Sequence, residues 1–235
     1  MKIKKHIKEF SKRATSYDEY TNIQKKVAKK VIENTKKKGV EYKKILDLGC
    51  GTGSVYKSID WKIETFVGVD ASEQMCKLHP NTKKIVVFNR DFDDRHLYED
   101  LKKYSPFDIT FSSSALQWSK NFDNILIHIK ELSRDISFAI FTDGTFETIY
   151  KVSQQESFLP DAQKLVDKIS CYWNIEYEIQ KYRLYFADNI SKFRYIKRSG
   201  VSGGEARLSY RQVKNLIENY PLDYLEFEVL FLSSV

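Results

Sequence analysis

One stretch decides the fold: Lys44-Ile45-Leu46-Asp47-Leu48-Gly49-Cys50-Gly51-Thr52-Gly53. It joins a short apolar run to an acidic residue and to three glycines at alternate positions. Such a pattern is typical of a buried strand that turns tightly into a helix. Glycine adopts backbone angles that other residues avoid, and it lets a ligand approach the main chain closely. Ligands of α/β sheets bind beyond the carboxyl ends of the strands, where Asp47 would lie, so the stretch predicts a ligand-binding turn.

The spacing of these glycines argues against two common nucleotide motifs. A dinucleotide fingerprint needs G-x-G-x-x-G, but the sixth positions counted from Gly49 and Gly51 are Ser54 and Tyr56. A P-loop needs Gly-Lys followed by Ser or Thr, which the stretch lacks. The remaining pattern, D-x-G-x-G-x-G, resembles the first motif of class I S-adenosylmethionine-dependent methyltransferases. This cofactor carries an ammonium and a carboxylate, which suit an acidic strand end beside open backbone N–H groups. A glycine-rich turn without a ligand is the alternative.

Four more strands are predicted after the glycine motif. Their apolar runs are Thr65-Phe66-Val67-Gly68-Val69-Asp70, Ile85-Val86-Val87-Phe88, Phe107-Asp108-Ile109-Thr110-Phe111 and Ile136-Ser137-Phe138-Ala139-Ile140-Phe141. Strands that alternate with helices indicate a parallel sheet with helices on both faces. We therefore predict an α/β fold with a Rossmann-like class I methyltransferase sheet, an N-terminal helical arm and a helical insertion after the fifth strand.

Acidic and apolar residues after these strands are candidate cofactor ligands. Asp70 follows the glycines by about 20 residues, a spacing at which an acid accepts both ribose hydroxyls of an adenosine. Met75 could pack on the adenine or in the core. Asp91 could accept from the adenine amino group and Phe92 could pack on its face, or the two could form a polar turn and a core contact. The predicted cofactor-binding set is Asp47, Gly49, Gly51, Gly53, Asp70, Met75, Asp91, Phe92 and Ser112.

Composition indicates one domain in a reducing compartment. The chain has 235 residues and a mean hydropathy of -0.49, and no apolar run approaches the roughly 20 residues that span a bilayer. The N-terminus has no secretory signal. The three cysteines of the chain (Cys50, Cys76 and Cys171) are widely separated, so we expect reduced thiols in the cytoplasm. No Cys/His cluster has metal-site spacing, and no metal is predicted.

Positive charge is concentrated in two flanking segments. Residues 1–44 hold 15 Lys/Arg against 5 Asp/Glu, and residues 181–214 hold 9 against 2. Residues 45–180 hold 15 against 21, so the predicted core is acidic. Basic flanks can bind nucleic acid or an acidic protein surface, although solvated lysine-rich surfaces give the same counts.

The N-terminal arm has a helical pattern. Ser16-Tyr17-Asp18-Glu19 has the pattern of a capping box, and Tyr20, Ile23, Val27 and Val31 then recur at helical spacing. We expect an amphipathic helix of roughly 20 residues that packs on the domain.

The region after the fifth strand is harder to assign. We expect helices over residues 145–156, 161–169 and 209–219, and an edge strand from Tyr224 to Leu232. The segment 157–198, rich in aromatic and basic residues, is predicted to be mostly helical and to lie over the strand ends. The single domain, 1–235, then divides into a helical arm (1–43), a cofactor-binding core (44–156), a substrate-side helical insertion (157–198) and a C-terminal helix and edge strand (199–235).

Nearly the full chain resembles the malonyl-acyl-carrier-protein O-methyltransferase family, which works early in biotin synthesis. The resemblance rests on four groups of residues. They are Phe10-Ser11-Lys12, Ala14, Tyr17-Asp18 and Gln24; Leu46 to Gly53; Ala115-Leu116-Gln117-Trp118; and Phe158-Leu159-Pro160, Arg198-Ser199-Gly200, Leu216 and Tyr220-Pro221. One departure is the segment 200–204, which is shorter than the family's basic loop and lacks its histidine.

The resemblance implies transfer of a methyl group from S-adenosylmethionine to the free carboxylate of a malonyl thioester. Such a carboxylate is ionised at neutral pH, with a pKa of about 4, so no general base is needed. The four histidines, His6, His79, His96 and His128, are accordingly assigned structural or surface roles.

Related carboxyl methyltransferases hold the substrate with a glutamine amide and a tryptophan N–H. By motif these are Gln24 and Trp118, with Tyr17 as a third candidate. Neutral donors orient the anion without quenching it as an arginine pair would. The alternatives are a helix-surface glutamine and a core tryptophan.

The family also implies an acidic acyl carrier protein as partner. Lys192, Arg194, Lys197 and Arg198 are the predicted docking residues, and malonyl-CoA is a possible substitute. No membrane is expected, and nucleic acid is disfavoured because the Asn/Asp-Pro-Pro-Tyr/Phe motif of base methylation is missing. Another small carboxylic acid as substrate, an RNA methyltransferase and a non-enzymatic scaffold stay open as alternatives, since fold alone does not decide.

Overall fold

A computed structural model describes Ile7, Ser11 and residues 21–199 and 209–235. It contains a seven-stranded sheet in the order β3-β2-β1-β4-β5-β7-β6. The strands are β1 (Lys44–Leu48), β2 (Thr65–Asp70), β3 (Ile85–Asn89), β4 (Phe107–Ser113), β5 (Ser133–Phe141), β6 (Ile175–Tyr185) and β7 (Tyr224–Ser234). The first five are parallel, whereas β7 is antiparallel to both β5 and β6.

Helices cover both faces of this sheet, as predicted. They are α1 (Asn22–Lys36), α2 (Ser54–Ser58), α3 (Glu73–Leu78), α4 (Arg95–Leu101), α5 (Phe122–Leu132), α6 (Glu147–Ser153), α7 (Ala162–Ser170), α8 (Asn189–Ser199) and α9 (Tyr210–Asn219), with a 3-10 turn at Leu116–Trp118. Successive strand residues point to opposite faces. Ile45 and Phe66 therefore join the core under α1, α6, α8 and α9, while Leu46 and Val67 join the core under α4, α5 and α7.

Helix α1 shows the predicted amphipathic pattern. Ile23, Val27 and Val31 are buried at four-residue spacing, and the lysines between them, such as Lys26, are exposed. The helix begins at Asn22, and the predicted capping box at residues 16–19 lies outside the described residues. None of the helices in the described ranges is long and apolar enough to cross a membrane.

The prediction of a mostly helical insertion at 157–198 is wrong in its centre. Residues Ile175–Tyr185 form strand β6, which pairs with β7 along its full length. From Gln180 to Tyr185, half-buried residues alternate with exposed ones, a period-2 pattern typical of a strand with one wet face. Charged residues such as Glu178 and Lys181 are exposed on β6, as is common on edge strands.

The predicted C-terminal edge strand is instead internal. Strand β7 lies between β5 and β6, and its second half, from Val229, is buried on both faces. A continuous apolar run such as residues 229–232 is typical of a strand covered on both sides.

Parallel pairing aligns the carboxyl ends of four strands. Leu48 pairs with Val69, which in turn pairs with Phe88, and β4 lies on the other side of β1. The loops after β1, β2, β3 and β4 therefore meet at one edge of the sheet, which is where α/β folds bind ligands.

Candidate cofactor and substrate cleft

The glycine loop after β1 has a conformation that other residues would resist. Gly49 has a φ of +82°, and a Cβ added there would lie 2.1 Å from the Cβ of Ala115. Gly51 has a φ of +52°, yet a Cβ there would meet no atom within 4 Å. The backbone N–H groups of Gly49 and Cys50 both donate to the carbonyl of Val69, at 2.8 and 3.0 Å. The loop is thus held against β2 with open space beside Gly51.

Asp70 lies at the end of β2, beside this loop. Its carboxylate accepts hydrogen bonds from the backbone N–H groups of Gly51 at 3.0 Å and Ser72 at 2.8 Å. Burial raises the pKa of Asp70 to about 6, although these two N–H groups act in the opposite direction. Ser72 caps α3 by accepting from the N–H of Met75 at 3.3 Å. The cap and the acid are therefore separate features of one turn.

A cleft of about 620 Å³, counting its open mouth, lies at this edge of the sheet. The described residues that line it are Ile7, Gly49, Gly51, Asp70, Ala71, Ser72, Met75, Asp91, Phe92, Ser113, Ser114, Ala115 and Trp118. Six residues of the predicted cofactor set are therefore brought together with Trp118, a predicted substrate residue.

Three predicted cofactor residues do not line the cleft. Asp47 is fully buried beneath the loop, and neither carboxylate oxygen has a hydrogen-bond partner among the described residues. Burial and the nearby charge of Asp70 raise the pKa of Asp47 well above its usual range. Gly53 donates to the carbonyl of Cys50 and precedes α2. Ser112 donates its hydroxyl to the carbonyl of Leu48 at 2.7 Å, which ties β4 to β1.

Trp118 is half-buried on the wall of the cleft. Its ring stacks on Phe158, with centroids 5.5 Å apart and an interplanar angle of 26°. The ring of Tyr150 packs edge-on against Phe158, with ring centroids 6.4 Å apart. Trp118 thus belongs to an aromatic wall that joins the 3-10 turn after β4 to the segment between α6 and α7.

The other predicted substrate residues stand apart from this wall. Gln24 is buried on α1, its amide oxygen has no partner among the described residues, and it is not among the described residues that line the cleft. Tyr17 lies outside the described residues. Two residues of the arm do reach this region, since Ile7 lines the cleft and the hydroxyl of Ser11 donates to the hydroxyl of Ser72 at 2.9 Å.

Of the four predicted docking residues, Lys192 is not on the surface, so the prediction for this residue is wrong. It is 2% exposed, and its ammonium donates to Asn189 Oδ1 at 2.8 Å and to the carbonyl of Leu222. Its charge also lies 5.0 Å from the ring centre of Tyr220. The ammonium is therefore directed into the protein. The remaining basic residues of α8, Arg194, Lys197 and Arg198, are exposed.

Two histidines pack away from the cleft. His79 is buried, its ring packs against those of Tyr56 and Phe66, and burial lowers its pKa. His128 stacks on Tyr98 with ring centres 4.2 Å apart. Neither is among the described residues that line the cleft.

Ser113 and Ser114 are cleft residues that sequence reasoning missed. Both line the cleft, and Ser114 has a φ of +63°. The run of three serines at the end of β4 was a visible signal, but it did not show which of them would line the cleft.

The cleft fits S-adenosylmethionine. Asp70 offers a carboxylate to ribose hydroxyls, Met75 and Phe92 offer apolar surface to a base, and the open space beside Gly51 allows a ligand to touch the main chain. Within the described ranges, no group of three or more His, Cys, Asp or Glu residues could hold a metal ion.

Comparison with known proteins agrees with this geometry. Residues 46–135 match the family described as a methyltransferase domain. The fold is also that of phosphoethanolamine N-methyltransferase 2 of Haemonchus contortus, solved with S-adenosylhomocysteine, with a TM-score of 0.52 and 15% identity over 87% of this chain and 52% of that one. Fold, cleft and matched family together define a class I methyltransferase domain that uses S-adenosylmethionine.

Several curated relatives of the chain share one name. The chain is 29% identical to the malonyl-[acyl-carrier protein] O-methyltransferase of Bacillus cereus, over 63% of this chain and 56% of that protein. It is 25% identical to the enzyme of the same name from Calditerrivibrio nitroreducens, over 90% of this chain and 85% of that protein. The match therefore spans little more than half of the first relative. The predicted resemblance to this family is confirmed.

Proposed function

We propose that the protein transfers a methyl group from S-adenosylmethionine to the free carboxylate of a malonyl thioester on acyl carrier protein. The product would be the malonyl methyl ester used in biotin (pimeloyl) synthesis. The names of the curated relatives support this substrate. The observation that carries the proposal is the presence of Trp118 on the same cleft as Gly51 and Asp70. An indole N–H donor beside a nucleotide site suits an anionic methyl acceptor.

The residues that would hold the cofactor lie at the ends of β1, β2 and β3. Asp70 would accept from the ribose hydroxyls, while Asp91, Met75 and Phe92 would surround the adenine. The loop at Gly49 and Gly51 would lie against the amino-acid part. The bound cofactor supplies an electrophilic methyl group on a sulfonium.

The described cleft-lining residues suit an acceptor that needs no deprotonation. Their titratable side chains are Asp70 and Asp91, both at the predicted adenosine end. A malonyl carboxylate is already ionised at neutral pH, so the protein has to position it and exclude water. Alignment of acceptor and methyl group can lower the barrier by several kcal/mol. Trp118 would donate to the carboxylate, with Gln24 and Tyr17 as further donors from the arm.

The exposed basic residues of α8 would receive the carrier protein. Arg194, Lys197 and Arg198 lie on one helix, and their charge would attract a small acidic partner. Lys192 is left out of this surface because its ammonium is directed into the protein. Association through exposed charges should weaken as salt rises.

Mass spectrometry of the acyl group tests the proposal. Malonyl carrier protein is incubated with the enzyme and S-adenosylmethionine, beside malonyl-CoA, succinyl and acetyl carrier proteins, and free small dicarboxylic acids. We expect one methyl group on the malonyl carrier protein and none on the acetyl control. Methylation of a free dicarboxylic acid with none on either malonyl thioester would favour the alternative substrate class and refute the proposal.

A further inference from the structure

Ser114 has a strained backbone that faces the cleft. Three described non-glycine residues have positive φ (Ser114, Phe146 and Gln154), and of these Ser114 alone lines the cleft. Its N–H donates to the carbonyl of Ala139 at 2.9 Å, and its carbonyl accepts from the side-chain amide of Gln117 at 2.8 Å. The surrounding structure therefore maintains an unfavourable conformation, and such conformations concentrate at functional sites.

The hydroxyls of Ser113 and Ser114 are buried without a partner. Neither oxygen has a hydrogen-bond partner among the described residues, and both oxygens are buried, whereas the residues that carry them line the cleft. A buried hydroxyl with no partner is costly, so such groups usually await a ligand or a water. The neighbouring Ser112 shows the contrast, because its hydroxyl is satisfied by the carbonyl of Leu48.

The position of these serines assigns them to the methyl-acceptor side. In the sheet order β3-β2-β1-β4, the predicted adenosine residues lie on one side of β1, Asp70 at the end of β2 and Asp91 after β3. On the opposite side, Ser113 ends β4, and Ser114 and Trp118 follow it. A hydroxyl can donate to an anion without neutralising it. These two donors therefore match the acceptor carboxylate better than the adenosine.

We propose that the hydroxyls of Ser113 and Ser114 donate hydrogen bonds to the substrate carboxylate, next to the indole of Trp118. This inference rests on the proposed function, since it presumes a carboxylate as methyl acceptor. It makes the serine pair a determinant of specificity for acids over uncharged acceptors. Two hydroxyls and an indole N–H would form a cradle of neutral donors around the anion.

Three variants separate the hydroxyls from the backbone. Ser113→Ala removes one hydroxyl. Ser114→Gly removes the other and also suits the positive φ, whereas Ser114→Ala removes it and keeps a Cβ in the strained conformation. Ser58→Ala is the matched control, because that hydroxyl bonds within α2 to the carbonyl of Ser54 at 2.8 Å.

Steady-state kinetics with malonyl carrier protein and calorimetry with S-adenosylmethionine are measured for each variant. We expect kcat/KM for the thioester to fall about 10- to 100-fold in each cleft variant, as for the loss of a hydrogen bond to a charged group. Cofactor affinity should stay within about twofold, a margin well below that loss. The control should match the wild type in both.

Each other outcome overturns the inference in a different way. A loss confined to cofactor affinity would assign the hydroxyls to the cofactor. A loss in Ser114→Ala but not in Ser114→Gly would make the backbone, and not the hydroxyl, the relevant feature. Wild-type kinetics in all variants would refute the serine cradle alone. An inactive wild type would refute the proposed function and the cradle with it. Retained cofactor binding shows that each variant has folded.

Discussion

The raised pKa of Asp70 makes cofactor affinity depend on pH. An ionised carboxylate can accept hydrogen bonds from two ribose hydroxyls, whereas a protonated one loses part of this capacity. With a pKa of about 6, Asp70 is about 97% ionised at pH 7.5 and about 9% ionised at pH 5. The apparent dissociation constant rises as the competent fraction falls. We therefore expect affinity for S-adenosylmethionine to fall about tenfold between pH 7.5 and pH 5.

Isothermal titration calorimetry across this range measures the effect, and Asp70→Asn is the matched control. The amide does not titrate, so the variant should bind weakly, by about 10- to 100-fold at pH 7.5, with little further loss toward pH 5. Any change of affinity caused by titration of S-adenosylmethionine itself will be the same for the wild type and for Asp70→Asn. If the wild type and Asp70→Asn show the same slope between pH 5 and pH 7.5, the assignment of Asp70 to the ribose is wrong.

The contribution of Asp47 to the pH dependence of cofactor affinity has to be distinguished from that of Asp70. Its pKa is also raised, by burial first and by the charge of Asp70 second. Asp47→Asn removes the second group. We expect the pH dependence of cofactor affinity to persist in Asp47→Asn with its midpoint little changed, because burial and the N–H groups of Ser72 and Gly51 set the pKa of Asp70.

Three further predictions concern other parts of the molecule. Trp118→Phe should lower kcat/KM for the malonyl thioester about 10- to 100-fold with cofactor affinity retained, because a donor to the carboxylate is lost. The control is Trp61→Phe, since the indole of Trp61 donates to the carbonyl of Tyr42 at 2.8 Å, and it should keep wild-type kinetics. Equal kinetics in both variants would contradict the role of Trp118. Arg194→Ala should raise KM for the carrier protein and reduce its salt dependence, with malonyl-CoA kinetics unaltered; an equal change for both thioesters would argue against a protein dock. Lys192→Met should lower the free energy of unfolding by about 1–3 kcal/mol, measured by urea denaturation, because it leaves Asn189 Oδ1 and the carbonyl of Leu222 without their donor. The KM for carrier protein should stay unchanged in that variant, and a raised KM at unchanged stability would restore Lys192 to the dock.

Much of the fold could be predicted because its central strands are buried on both faces. Such strands are short, nearly continuous apolar runs, and β2 has the predicted bounds, Thr65–Asp70. The glycine loop was equally visible, since a positive φ such as those of Gly49 and Gly51 strongly favours glycine. These signals are local, so they survive without knowledge of tertiary contacts.

Strand β6 and the internal position of β7 were mispredicted because they depend on distant partners in the sheet. Residues 175–185 are half-exposed, and their alternation became meaningful only through pairing with β7, some 50 residues later. Strand propensity of this kind reflects the neighbours in the sheet more than the chain itself. Lys192 failed for a related reason. A lysine in a basic helix is usually solvated, but the carbonyl of Leu222 and the amide of Asn189 draw this one inward.

The three serines at the end of β4, Ser112 to Ser114, show where sequence reasoning reaches its limit in the cleft. They have identical side chains at consecutive positions, so composition and spacing cannot distinguish them. Strand geometry directs Ser112 to the carbonyl of Leu48, and the positive φ of Ser114 then breaks the strand's alternation. The oxygens of Ser113 and Ser114 are left without a partner among the described residues, and both residues line the cleft. Ser114→Gly permits the positive φ and removes the hydroxyl, so it distinguishes the contribution of the backbone angle from that of the hydroxyl.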